Sequence, residues 1–217
     1  MKTLAEALLY GIADLGYIQP DALETTVEKM LEGGVDVLQL RAKEYEEHAV
    51  ESFANRIVPL TEAAGVPLLL NDFPELVPSV GAQGAHVGQD DLPVQDARWR
   101  SGRALQNEVP PTLIGKSTHS PAQALAAAAE GADYIGFGPL FTTPTKPGRP
   151  AIGLDAIAEV HASVSIPIFC IGGIKRENLE RVLDAGARRV VVVSGILQAP
   201  DIAAYCRDLR AELARRF

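Results

Sequence analysis

Cysteine is nearly absent: Cys170 and Cys206 are the only two in 217 residues. Two thiols without a metal-ligand spacing exclude a multi-bridge disulfide scaffold and make a reducing cytoplasm the expected compartment. Long apolar runs are missing as well. No stretch approaches the ~18 uncharged apolar residues of a membrane span, and the apolar N-terminal run from Leu4 to Ala13 is interrupted by Glu6. Neither a membrane partner nor an export signal is therefore expected. Positive charge is in deficit, with 20 Lys+Arg against 28 Asp+Glu and a net charge of −8, which argues against nucleic acid as a partner. Any anionic ligand must then be held by cations concentrated locally. Glycine and proline, at 19 and 15 residues, fall well short of the roughly 25–30% typical of low-complexity chains. What remains is a chain that is 47% hydrophobic, ample for a globular core.

The chain is punctuated in one repeated way: a helical segment, a glycine turn, a short β-branched or Leu-rich run, then a polar stretch opening the next helix. Strands are expected at Leu8–Ala13, Val35–Arg41, Pro67–Asn71, Ala85–Val87, Leu113–Lys116, Tyr134–Phe137, Ile166–Ile171 and Arg189–Val193. Amphipathic or Ala-rich stretches between them, among them Asp21–Glu32, Glu46–Ala64, Pro121–Glu130, Asp155–Ala162, Glu177–Ala185 and Asp201–Arg215, read as helices, with glycines as their C-terminal caps. A weak internal repeat supports this reading. Gly34-Val35-Asp36, Gly81-Ala82-Gln83, Gly131-Ala132-Asp133 and Gly186-Ala187-Arg188 each precede an apolar run, at intervals of 47, 50 and 55 residues, or two βα units apiece. Eight such units imply an α/β fold, a single-domain (β/α)8 TIM barrel with residues 1–217 as one catalytic domain. The rival, an open doubly wound sheet, usually carries a G-x-G-x-x-G turn after its first strand, and Leu9-Tyr10-Gly11-Ile12-Ala13-Asp14 has none.

A barrel builds its active site from the C-terminal ends of strands and the loops that follow. In Gln39-Leu40-Arg41-Ala42-Lys43, the strand period of two puts Gln39, Arg41 and Lys43 on one side and Leu40 on the other. The apolar run Leu68-Leu69-Leu70 ends in Asn71-Asp72, and the next strand is followed by Gly88-Gln89-Asp90-Asp91. Carboxylates at neighbouring strand ends suit Mg2+, which takes one or two protein carboxylates and completes its shell with phosphate and water; Asp72 and Asp91 equally suit helix N-caps. His86 reads more readily as an ordinary buried strand residue than as a ligand. After the sixth strand, the long polar stretch Gly138 to Gly148 offers the hydroxyls of Thr143 and Thr145 and the ammonium of Lys146 to a phosphate or carboxylate. Gly172-Gly173 and Val193-Ser194-Gly195 follow strands seven and eight, where barrels recurrently bind phosphate on backbone N–H groups.

Taken in series, Gln39–Lys43, Asn71-Asp72, Gly88–Asp91, Ser117-Thr118-His119, Thr143–Lys146, Gly172–Ile174 and Val193-Ser194 resemble the thiamine phosphate synthase family over nearly the whole chain. The resemblance implies a transferase that condenses hydroxymethylpyrimidine diphosphate with hydroxyethylthiazole phosphate and releases diphosphate with the help of Mg2+. It implies that Gln39, Leu40, Arg41, Ala42, Lys43, Asn71, Ser117 and Lys146 hold the pyrimidine diphosphate, with Arg41, Lys43, Lys146 and Ser117 acting in catalysis. Asp72 and Asp91 would bind Mg2+, and Thr143, Pro144, Thr145, Gly173, Val193 and Ser194 would hold the thiazole phosphate. Phe73, Ala13, Lys116, Lys175 and Gly195 depart from the family's usual pattern, and Lys116 or Lys175 is offered as a substitute for a cation missing at Phe73. Two other readings are weighed. A related thiazole tautomerase would use His119 as general acid/base and leave Asp72, Asp91 and the Gln39/Arg41/Lys43 set idle; a non-catalytic phosphate-binding barrel would have no use for metal carboxylates. Whether the chain is a monomer or a homo-oligomer stays open, because outward helix faces look alike either way.

Overall fold

The computed structural model describes residues 1–102, 112–143 and 150–217. Eight parallel strands close into a barrel in chain order: β1 (Leu9–Asp14), β2 (Val37–Arg41), β3 (Leu68–Asn71), β4 (Gly84–Val87), β5 (Leu113–Thr118), β6 (Tyr134–Phe137), β7 (Ile168–Ile171) and β8 (Val190–Val192). Pairing of Leu9 with Val190 and Gly11 with Val192 joins the last strand to the first, so no edge is left open. Each strand begins and ends within two residues of its expected position. The outer layer comprises α1 (Leu23–Glu32), α2 (Glu47–Ala63), α3 (Val77–Val80), α4 (Val94–Arg100), α5 (Pro121–Ala129), α6 (Ile157–Ser163), α7 (Leu179–Asp184), α8 (Ser194–Leu197) and α9 (Ile202–Arg216). The short helices α3, α4 and α8 were not among the helices named from the sequence. Among the described residues no helix is long and apolar enough to cross a membrane.

Alternation along each strand produces two cores. Leu9, Leu38, Leu40, Leu68, Leu70, Ile114, Ile135, Ile168 and Val190 point outward and pack beneath Val27, Met30, Ile57, Ala124, Val160 and Val182 of the helices. Tyr10, Val37, Leu69, Tyr134, Phe169 and Val191 point inward, and Leu4 and Ala7 ahead of β1 join them. Phe169 meets Tyr10 and Tyr134 edge-on, at ring separations of 5.4 and 5.6 Å, the favoured aromatic geometry. This cluster fills the barrel interior and leaves only the upper part for ligands.

The glycine repeat has a mechanical meaning. Gly34, Gly81, Gly131 and Gly186 all adopt left-handed φ values, of 85, 76, 87 and 106°, turning the chain from helix into strand. Two residues after the first three glycines stands an acceptor side chain that clamps the start of the preceding strand. Asp36 accepts from the Leu8 and Leu9 amides at 2.9 and 3.0 Å, Gln83 from Leu68 N at 2.8 Å and Asp133 from Ile114 N at 2.7 Å. The same residues donate their own amides to Leu9, Leu68 and Ile114. Arg188 cannot accept, and no equivalent clamp is seen there among the described residues.

Asp36 is the strongest of these clamps: 1% exposed, it also faces Lys2 Nζ at 2.6 Å and Arg210 Nε at 2.8 Å. Burial pushes its carboxyl up, but the bonds from Lys2 and the two amides outweigh that and hold it below the usual range. Such a group stabilises the fold fully above its ordinary pKa and loses that contribution as pH falls through the lowered folded value. Asp36→Asn should therefore cost about 3 kcal/mol at pH 7, roughly 6–12 °C in Tm. The gap to the unmodified protein should close on acidification, as read by thermal denaturation across pH.

Candidate active site

The upper ends of the strands surround two adjoining cavities. The first, about 720 Å3 including its open mouth, is lined by Tyr10, Asp14, Gln39, Arg41, Lys43, Asn71, Asp72, His86, Asp91 and Ser117 among others. The second, about 590 Å3, is more apolar and is lined by Ser117, His119, Pro139, Thr143, Gly172, Gly173, Ile174, Val193 and Ser194. Ser117, Gly136, Ile171, Val191 and Val193 belong to both. Gly136 keeps the partition thin: a Cβ built there would meet nothing closer than His86 Cε1 at 3.5 Å.

The polar cavity gathers the side chains expected from β2, β3, β5 and the loop after β4. Gln39, 2% exposed, donates from Nε2 to the Tyr10 hydroxyl at 2.7 Å. Arg41 Nη1 lies 2.8 Å from Asp14 Oδ2, and Asp14 Oδ1 accepts from Gly16 N at 2.9 Å. Neither proposed acid is a helix N-cap. Asp91 takes the Gly88 amide at 2.7 Å ahead of α4, whose N-cap is Pro93, and Asp72 precedes a short turn capped at Phe73. Asp72 instead has φ 65°, a left-handed conformation that Asp tolerates, and its Oδ2 accepts from Asn71 Nδ2 at 2.6 Å. Burial, then the charge of Asp91 beside it, pushes the Asp72 carboxyl up, only partly offset by Lys43 and Asn71. A like-charge pair facing a cavity is short of positive charge.

Leu40 and Ala42 belong to the outer core, so their side chains face the helices rather than the cavity. Thr143, Gly173, Val193 and Ser194 line the apolar cavity, while Pro144, Thr145 and Lys146 lie outside the described residues. Lys116 does not replace a cation at Phe73. It sits one residue off the inward register of Ser117 and, 5% exposed, donates outward to Leu92 O at 3.1 Å. The glycine at 195 has a local cause, because a Cβ there would approach the Tyr205 hydroxyl to 2.8 Å. Gly173 is constrained as much by packing as by the cavity, since a Cβ would meet that of Phe141 at 2.7 Å.

Sequence reasoning missed Tyr10, Asp14, Tyr134 and Gly136, and ranked His86 as core. His86 instead stands in the cavity wall, with Nδ1 2.9 Å from the Tyr134 hydroxyl and Nε2 2.9 Å from Ser117 Oγ. The available signal was the two-residue period: His86 alternates with outward Ala85 and Val87, as Tyr10 does with Leu9.

A family model described as thiamine monophosphate synthase matches residues 9–196. The chain belongs to that family. It is 45% identical over 197 residues to the thiamine-phosphate synthase of Thermus thermophilus, covering 88% of this chain and 91% of the relative. To that of Chloroflexus aurantiacus it is 41% identical over 204 residues, covering 94% and 91%. The thiamine phosphate pyrophosphorylase structure from Pyrococcus furiosus superposes with a TM-score of 0.84 at 27% identity, covering 99% and 98% of the two chains. 3-Hexulose-6-phosphate synthase, at 18% identity and a TM-score of 0.64, shares the fold alone.

The acid pair of this family member gives a direct test. Ionising Asp72 costs the folded state nothing below its ordinary pKa. The cost grows as pH rises through the window up to the raised folded value and is constant above it. Asp91→Asn, in chelator, should therefore stabilise the protein at pH 7 by about 0.5–1 kcal/mol. In urea titrations the gain should vanish when both states are protonated.

Proposed function

We propose that the chain is a thiamine-phosphate synthase, joining hydroxymethylpyrimidine diphosphate to hydroxyethylthiazole phosphate with loss of diphosphate. One observation carries the reading: a polar cavity with cations and a carboxylate pair shares a thin wall with a more apolar, glycine-edged cavity, so two ligands can lie with their reacting ends together. Its curated relatives are named for that synthase.

Among the described residues no group of three or more His, Cys, Asp or Glu forms a metal cluster. One or two carboxylates are what Mg2+ bound through substrate phosphate takes, and the like-charged pair Asp72 and Asp91 fits it. When bound there, Mg2+ would supply counter-charge to the departing diphosphate. Arg41, Lys43 and Lys146 would add theirs, with Asn71 and Ser117 orienting the ester. Cleavage of the carbon–oxygen bond leaves its electron pair on the diphosphate. The electron-rich aminopyrimidine stabilises the resulting cation, and the thiazole nitrogen lone pair closes the new carbon–nitrogen bond. Thr143, Gly173, Val193 and Ser194, with Pro144 and Thr145, would hold the thiazole phosphate. No protein nucleophile is called for. The free, buried Cys170 and Cys206 are compatible with work in a reducing cytoplasm.

Incubating the protein with both substrates and Mg2+, with product read by mass spectrometry, should give thiamine phosphate and diphosphate, lost in chelator. Lys146→Ala should cost about 2.7–4 kcal/mol of transition-state stabilisation, roughly 10²–10³ in kcat, with a smaller effect on KM. His119→Ala should cost far less. Isomerisation of the thiazole phosphate that depends on His119, with no coupling, would instead identify a tautomerase.

A further inference from the structure

Five polar side chains on five strands form one hydrogen-bonded chain across the barrel. Gln39 Nε2 donates to Tyr10 OH at 2.7 Å, Tyr10 OH meets Tyr134 OH at 3.1 Å, Tyr134 OH meets His86 Nδ1 at 2.9 Å, and His86 Nε2 meets Ser117 Oγ at 2.9 Å. Both tyrosines are wholly enclosed, at 1% and 0% exposure, while Ser117 stands on the wall common to both cavities. The place of Tyr134 is built into the fold: at Gly115 a Cβ would lie 2.1 Å from the Tyr134 Cζ and 2.4 Å from its hydroxyl oxygen.

The chain has a direction. Because Gln39 donates, the Tyr10 oxygen has one donor already, and its proton finds an acceptor among the described residues only at Tyr134. The Tyr134 proton then goes to His86 Nδ1, which leaves the His86 proton on Nε2, donated to Ser117 Oγ. The Ser117 hydroxyl proton is then not used within the relay, and Ser117 lines both cavities. The opposite direction would give Tyr10 two donors and strand its own buried proton without an acceptor, which is unfavourable in a closed interior.

We propose that Tyr10, Tyr134 and His86 are positioning residues. Through this relay they hold His86 as its neutral Nε2–H tautomer and so turn Ser117 into a hydrogen-bond donor for an anionic phosphate oxygen at the shared wall. The inference rests on the synthase reading for its kinetic consequence, since the donor would act on the oxygen that gains charge as diphosphate departs. Its structural part does not depend on turnover.

The tautomer is read on the unmodified full-length protein by 15N NMR of its histidines, with the His86 signal assigned from His86→Gln. The expected result is a proton on Nε2 and none on Nδ1; a proton on Nδ1 overturns the relay. Tyr134→Phe, which removes the donor to Nδ1, should mix the two tautomers and lower kcat about tenfold with little change in KM. It should lower kcat no further in a Ser117→Ala background, whereas additive losses would mean that Tyr134 acts only on packing. Titration with inorganic diphosphate gives the arm independent of catalysis: Ser117→Ala and Tyr134→Phe should each weaken binding severalfold, and undiminished binding in both contradicts the donor role. If the unmodified protein couples no substrates, the synthase reading fails, while the NMR and diphosphate results still decide the relay.

Discussion

A parallel strand turns a side chain inward only at every second residue, and a closed barrel lets no strand escape that rule. The rest of the structure follows from it. Leucines and valines at one parity build the sheet–helix core, while the other parity must both plug the barrel and serve the ligand. Tyr10, Tyr134 and Phe169 resolve the conflict by position: their rings pack edge-on within the interior, and the two tyrosine hydroxyls meet the polar groups above. Polar residues are tolerated at this depth because they satisfy one another.

The same parity explains what could be read from the chain. Gln39, Arg41 and Lys43 stand out because three long polar side chains at period two interrupt an apolar strand. Asn71 and Asp72 stand out because a run of leucines ends on them. Tyr10, Tyr134 and His86 are camouflaged: each lies in a short apolar run where an aromatic ring reads as core, and only the closure of eight strands brings their polar atoms together. Asp14 is hidden for another reason. Its importance comes from Arg41 on the neighbouring strand, 2.8 Å away, a pairing that local sequence does not encode. Gly136 matters through what it lacks, a property visible only once the cavities are seen on either side of it.

The glycine repeat was legible as punctuation but not as mechanism. Its spacing marks pairs of βα units, yet the reason for Asp36, Gln83 and Asp133 two residues later lies in amides near the start of the preceding strands, from which their side chains accept at the lower rim. Stability is thus concentrated at the lower rim, in the clamps and the Lys2–Asp36–Arg210 cluster. At the upper rim Asp72 and Asp91 set like charges side by side facing the cavity, only partly offset by Lys43 and Asn71. That division suits a barrel that keeps its least stable electrostatics where a charged ligand can neutralise it.

On the proposed reading, the two adjoining cavities are separate sites that share one wall and fill at the same time. Simultaneous filling is measured by calorimetric titration of hydroxyethylthiazole phosphate into protein saturated with Mg2+ and an unreactive pyrimidine diphosphate analogue. The thiazole phosphate should bind with undiminished or improved affinity, at one equivalent per chain. Mutual exclusion of the two ligands would contradict it.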